Sequence, residues 1–187
     1  MKTPILTTLL AAAISFALPS TPLFAADDSA LVTDADRATN ATFMATASQA
    51  NWTEVKLGRL AEKRTKRGDV KALADEIVND HQLAQDSLKK IMDAGKVDLP
   101  KDDRADQEAA VDELKKTGDA EFDRIFVKRM VVDHQSTVAA YQAFIAATKS
   151  PELKNYANIT VDHLKKHLAN AEALAKVIGG VTIEDKK

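Results

Sequence analysis

The sequence predicts an all-α protein, an antiparallel four-helix bundle. Three observations carry this. Apolar residues recur at steps of three and four over nearly the whole chain beyond residue 33, the signature of one buried helix face. Six Gly and five Pro in 187 residues are few for a turn-rich β chain. No segment alternates apolar and polar residues as a half-buried strand does, and there is no internal repeat.

The elements follow in order. Met1 to Ala25 has the pattern of a cleaved secretory signal: Lys2, an uncharged apolar run from Ile5 to Leu18, Pro19 and Pro22, and Leu23-Phe24-Ala25 before the cut. A membrane anchor is the alternative, but the run falls short of the roughly 20 residues that span a bilayer. Residues 26–180 then form one bundle domain and 181–187 a tail. The first helix runs from about Asp34 to Arg67, with Thr33 and Asp36 resembling a capping box and Phe43, Ala47, Ala50, Glu54, Leu57 and Ala61 facing inward. Gly68 stops it and Asp69 caps the next. The second spans about Val70 to Ala94, with Val70, Leu73, Ile77, His81, Ala84, Leu88 and Ile91 on its stripe, and Gly95 ends it. A loop with Pro100 leads to a short charged helix, Ala105 to Lys116. That connection fits either a long crossover or a side helix on an up-down bundle.

The third long helix runs from about Asp119 to Thr148 with Phe122, Phe126, Met130, His134, Thr137, Tyr141 and Phe144 inward. Ser150 caps the fourth, whose Pro151 takes the first position, where a missing N–H costs nothing. Its stripe holds Leu153, Tyr156, Thr160, His163/Leu164, His167, Ala171, Leu174 and Ile178 before Gly179-Gly180.

Composition excludes several functions. Without Cys there is no disulfide, thiolate metal site or cysteine nucleophile. A net charge of −2 gives no basic footprint for nucleic acid, and 5 % aromatics is too little for base-stacking platforms. No stretch of the mature chain approaches a membrane span. Lys63, Arg64, Lys66 and Arg67 form a basic cluster, read as a solvated helix end before a lipid contact. Met44, Met92 and Met130 lie too far apart for a copper-Met box and read as core.

The chemistry sits on the apolar stripes. Glu54, His81, His134 and His167 each occupy an inward position, one per long helix. A buried Glu is costly unless paired, protonated or metal-bound. Glu54 is 14 residues before Gly68 and His81 is 13 after it; His134 is 16 before Ser150 and His167 is 17 after it. At about 1.5 Å per residue each pair therefore stands level across its hairpin. One carboxylate and three imidazoles suit zinc, iron, copper or nickel. His163, one turn before His167, is an extra candidate ligand; Asp80 and Asp133 precede a His and are candidate partners for a His on an adjacent helix, as is Asp162. The competing view is a buried Glu–His hydrogen-bond network that only fixes helix register. The residues three before each His are Val78, Val131, Thr160 and Leu164, so the Glu-x-x-His motif of di-iron sites is absent and a binding role outranks oxidase chemistry. A site of this kind binds metal less tightly below about pH 6, as its His protonate.

The segments FMATASQANWTEVKLGRLAEKR, VKALADEIVNDH, FDRIFVKRMVVDH and DHLKKHLANAEAL resemble an exported bacterial ferritin-like family, domain of unknown function 4142. Some of its members carry the label "predicted outer membrane protein", although nothing here supports a barrel. The resemblance covers about Ala35 to Ile178. The family's motif Glu falls on Glu54, its Asp-His on Asp80-His81, its Phe-Asp on Phe122-Asp123, its third-helix His on His134, and its His-Leu-x-x-Ala on His167-Leu168 and Ala171. Where the family has Leu-Pro this chain has Val161-Asp162, so His163 is an addition. The resemblance implies a periplasmic ferritin-like bundle. The expectation is therefore an exported, metal-binding bundle without an organic cofactor, acting in metal handling or envelope stress, with a homo-oligomer left open.

Overall fold

A computed structural model describes residues 33–97 and 105–179, the side chains of 105–107 excepted. The expected signal segment, the Pro100 loop and the tail 181–187 lie outside the described residues. Those residues form five helices and no strand: α1 (Asp34–Arg64), α2 (Gly68–Gly95), α3 (Ala105–Lys116), α4 (Asp119–Ala147) and α5 (Pro151–Ile178). None of these helices is long and apolar enough to cross a membrane.

Local chemistry sets the boundaries. Thr33 accepts from the Asp36 backbone N–H while Asp36 accepts from that of Thr33, a closed capping box that holds the Asp36 carboxyl at about 2, chiefly through the Thr33 hydroxyl and N–H. Ser150 accepts from the N–H of Leu153, and Pro151 opens α5. Two glycine roles differ from expectation. α1 ends at Arg64 rather than Arg67, in an extended Thr65, and Gly68 opens α2 instead of closing α1. Gly95 stays helical, and Lys96 takes the left-handed turn at φ 53°, with its N–H and that of Val97 closing on Asp93 and Met92.

The four long helices pack as two hairpins, α1/α2 and α4/α5, with α2 also against α5 and α1 against α4. The two turns lie at opposite ends of the bundle. Around the α1–α2 turn, Leu57, Ala61, Val70, Leu73, Phe122, Phe126, Ala171 and Ala175 form one apolar cluster. Around the α4–α5 turn, Met44, Leu88, Met92, Tyr141, Phe144, Leu153 and Tyr156 form another. The N-termini of α2 and α4 therefore share an end and those helices run in the same direction, so the α2–α4 connection must traverse the bundle. α3 sits on that crossover and packs on α1. Arg64 holds it there: its guanidinium donates to the carbonyls of Leu114, Lys115 and Thr117, pairs with Asp119 at 2.6 Å and lies 4.4 Å over the Phe122 ring. One member of the basic cluster is thus a structural pin, and a second, Arg67, pairs with Asp69 at 2.6 Å. The three core methionines are buried, as expected.

Gly58 permits the close α1–α2 approach. A Cβ there would stand 2.6 Å from Val78 Cγ2 and 3.2 Å from the Ala74 carbonyl oxygen. Between the two apolar clusters lies a buried polar layer of Ser48, Asn51, Glu54, His81, Gln85, His134, Thr160 and His167.

Candidate metal centre

His81 on α2, His134 on α4 and His167 on α5 are 4 %, 1 % and 1 % exposed, which places three imidazoles in the interior. Their ring centroids are 5.2 to 5.7 Å apart, and one nitrogen from each lies within 4.8 Å of one from each of the others. Three helices thus deliver their His to one height, although the hairpin turns are at opposite ends. Each His stands near mid-helix, where height is insensitive to which end carries the turn.

The outer nitrogen of each ring meets an oxygen. His81 Nδ1 is 3.0 Å from Asn51 Oδ1, His134 Nδ1 is 2.9 Å from the Met130 carbonyl oxygen, and His167 Nε2 is 3.0 Å from Asp80 Oδ2. A carbonyl oxygen or carboxylate only accepts, so each ring donates N–H there. The Asn51 orientation is fixed by its amide nitrogen, 3.3 Å from both Gln85 Oε1 and the Tyr156 hydroxyl, with Gln85 donating in turn to Ser48 Oγ at 2.9 Å. A neutral ring carries one proton. The lone pairs therefore fall on His81 Nε2, His134 Nε2 and His167 Nδ1. His134 Nε2 and His167 Nδ1 face each other at 3.2 Å, and His81 Nε2 is buried without a partner. Two nitrogens on one tetrahedral ion at ~2.0–2.1 Å stand about 3.3 Å apart. The His134–His167 pair thus stands at the separation that one transition-metal ion requires, with a nitrogen of His81 within 4.8 Å of both.

Electrostatics keeps the rings neutral. Burial, reinforced by the neighbouring His, holds His81 well below its ordinary value and brings His134 down to about 4. Burial also lowers His167, against the pull of Asp80. For Asp80, burial pushes upward, but hydrogen bonds from His163 and His167 prevail and keep it an ionised acceptor. His163, half-exposed, sits 2.9 Å from the same Asp80 oxygen. It stands behind Asp80, outside the group of three.

Glu54 is level with His81 but belongs to another neighbourhood. Its carboxylate does not join the group of three imidazoles. Burial raises it to about 8, the nearby Asp133 adds to that, and Arg129 opposes it; Oε2 has no hydrogen-bond partner. Asp133 pairs with Arg129 at 3.0 Å and with none of the three His, and Asp162 pairs with Lys165 at 3.6 Å. The α1 residue that reaches His81 is Asn51, one turn before Glu54. Asn51, Gln85 and Ser48 escaped the sequence reading because the inward face of α1 includes Ser48, Asn51 and Val55, while Ala50 is only partly buried. Their signal was spacing: Asn51 is three residues before Glu54 and Gln85 four after His81.

A cleft of about 310 Å³ opens between α2 and α5 and reaches His81, His167 and Asp80. A second group of potential ligands, Glu76, Asp80 and His167, lies toward the surface, where Glu76 also pairs with Lys166 and accepts from Asn170.

Fold and site together define a helical bundle with a buried, three-helix imidazole cluster. Residues 25–174 match the family described as Domain of unknown function (DUF4142), and the chain belongs to that family. Among solved structures it is similar to a DUF305 fragment from Deinococcus radiodurans, with TM-score 0.67 and 17 % identity over 78 % of this chain and 98 % of that one. That likeness concerns the fold. No curated protein matches the chain.

Proposed function

We propose that this chain is an exported, periplasmic, ferritin-like bundle that binds one transition-metal ion through His81 Nε2, His134 Nε2 and His167 Nδ1, in metal handling or envelope stress. One observation carries the metal site: every outer ring nitrogen is tied to an oxygen acceptor, leaving the lone pairs of His134 Nε2 and His167 Nδ1 facing each other and that of His81 Nε2 buried without a partner. Such outer partners orient metal-binding imidazoles and fix their tautomers. Three neutral nitrogens suit zinc, copper, nickel or iron(II). The ferritin-like assignment is supported by the single long crossover between two parallel helices. Export is supported by the apolar run Ile5–Leu18 and the Leu23-Phe24-Ala25 site.

A second reading has its own support. The Ser48–Gln85–Asn51–Tyr156 chain is satisfied by its own members, so the polar layer also fits a device that fixes helix register. Titration of tag-free, chelator-stripped mature protein separates the two. We expect one equivalent of zinc, copper(II), nickel or iron(II) to bind and to stabilise the fold by about 2.7 kcal/mol at 100 times Kd. His134→Ala removes that gain. If none of the four ions raises the melting temperature, the register role stands alone. Glu54→Gln leaves affinity unchanged if the three His suffice; a drop on the order of tenfold brings Glu54 into the site as a ligand or an outer partner.

A further inference from the structure

The α2–α5 cleft has a composition that the metal centre alone does not require. We propose that it is the ligand site of that centre, taking a small uncharged molecule whose apolar body fills the cleft and whose single nitrogen or thioether-sulfur lone pair completes the coordination. This rests on the metal reading above and adds the class of molecule that the site accepts.

Four observations converge. Three imidazoles leave one position of a tetrahedral ion for an external donor. His81 and His167 both line the cleft and His134 does not, so the cleft adjoins the cluster on its α2–α5 side, with His81 Nε2 buried just behind the wall. The cleft's volume of about 310 Å³ suits a small organic molecule and exceeds what one water needs. Its wall is largely apolar, built from Leu83, Ala84, Ile91, Ile159 and Leu164, and at its mouth Leu83 and Ile159 stand 63 % and 56 % exposed. Large apolar side chains held in water beside a pocket gain when an apolar body covers them.

Charge narrows the class. Asp80 and Glu152 are the charged residues of the lining, and no Lys or Arg is among them. Anions are repelled there, and an ammonium has no lone pair to give. Ser87, Asn155 and Thr160 supply neutral hydrogen-bonding groups. A heterocyclic nitrogen or thioether on an apolar body meets all of these conditions.

The test uses mature protein loaded with cobalt(II), whose visible spectrum reports the coordination sphere. The probes are imidazole, 4-phenylimidazole and benzoate. 4-Phenylimidazole should change the spectrum and bind about tenfold tighter than imidazole, because its phenyl group leaves water. Metal-free protein should bind both far more weakly, and benzoate should leave the spectrum unchanged. Ala84→Phe should abolish the preference for the phenyl group while cobalt affinity stays. Ile159→Asp, at an exposed position that does not endanger folding, should reduce the preference and decides the matter if Ala84→Phe fails to fold. Cobalt binding without a preference for 4-phenylimidazole overturns the cleft proposal and leaves the metal centre standing. Benzoate binding as tightly overturns the uncharged class. Failure to bind cobalt overturns the cleft proposal, and failure of zinc, copper, nickel and iron(II) as well overturns the metal reading with it.

Discussion

Two sides of one polar layer treat buried ionisable groups in opposite ways. On the α2–α5 side, His81 and His167 have oxygen partners for their outer nitrogens, and Asp80 stays ionised because two imidazoles donate to it. On the α1–α4 side, Glu54 faces the Arg129–Asp133 pair with one oxygen unpartnered and rises to about 8. Both sides hold neutral groups at pH 7, by different means. The buried His rings are neutral because deprotonated rings suit burial. The Glu side is neutral only by taking up a proton that the unfolded chain would release. The first arrangement exposes lone pairs inside the protein and the second removes a charge, so only the first resembles a binding site.

The sharpest way to break this contrast is Glu54→Gln. A carboxyl raised from 4.5 to about 8 stabilises the fold fully below pH 4.5 and loses that contribution as pH rises through 8. The variant should therefore be more stable than the parent by on the order of 3 kcal/mol at pH 7, at about 1.4 kcal/mol per pH unit above 4.5. The gain should vanish near pH 4.5. Urea melts across that range check it, and a gain independent of pH would show that Glu54 is not protonated in the fold.

Asp80→Asn acts on the other side and should be smaller. The amide still reaches His167 but no longer favours a donating Nε2–H so strongly. Metal affinity should fall by roughly 10- to 100-fold, as for other outer-partner losses, and calorimetric titration reads it. An unchanged Kd would detach Asp80 from the centre.

A third test is the acid limb of the metal-free protein. His134, lowered from 6.5 to about 4, contributes stability that is full above pH 6.5 and is lost as pH falls through 4. Glu54→Gln protein should show this limb together with the acid losses of His81 and His167, and His134→Gln should reduce it without removing it. The same shift moves proton competition for the metal below the pH 6 expected of ordinary imidazoles. Affinity that halves at pH 6 would mean the rings are wetter than their burial indicates.

Much of this was legible in the chain. Period-3.6 stripes located the helices because burial of one face dictates the pattern, and Ser150-Pro151 and Thr33/Asp36 act through bonds within one turn. The three His were visible because polar residues on apolar stripes need partners, and counting residues from a turn gives their height. The boundaries at Gly68 and Gly95 were misjudged because a glycine permits a left-handed stop without requiring one, and Lys96 took that role.

What the sequence by itself determined was the set of helices, their inward faces and the presence of buried imidazoles at mid-height, since these depend on local hydrogen bonding and on periodicity. Which of them meet was decided by tertiary structure. The rotation of α1 about its axis turns Asn51 rather than Glu54 onto His81, the packing of α2 on α5 joins Asp80 to His167, and the crossover sets α2 parallel to α4. Height along a helix follows from counting residues. Azimuth between helices follows from how side chains such as Val78 against Gly58 interlock, and a one-dimensional pattern does not contain that.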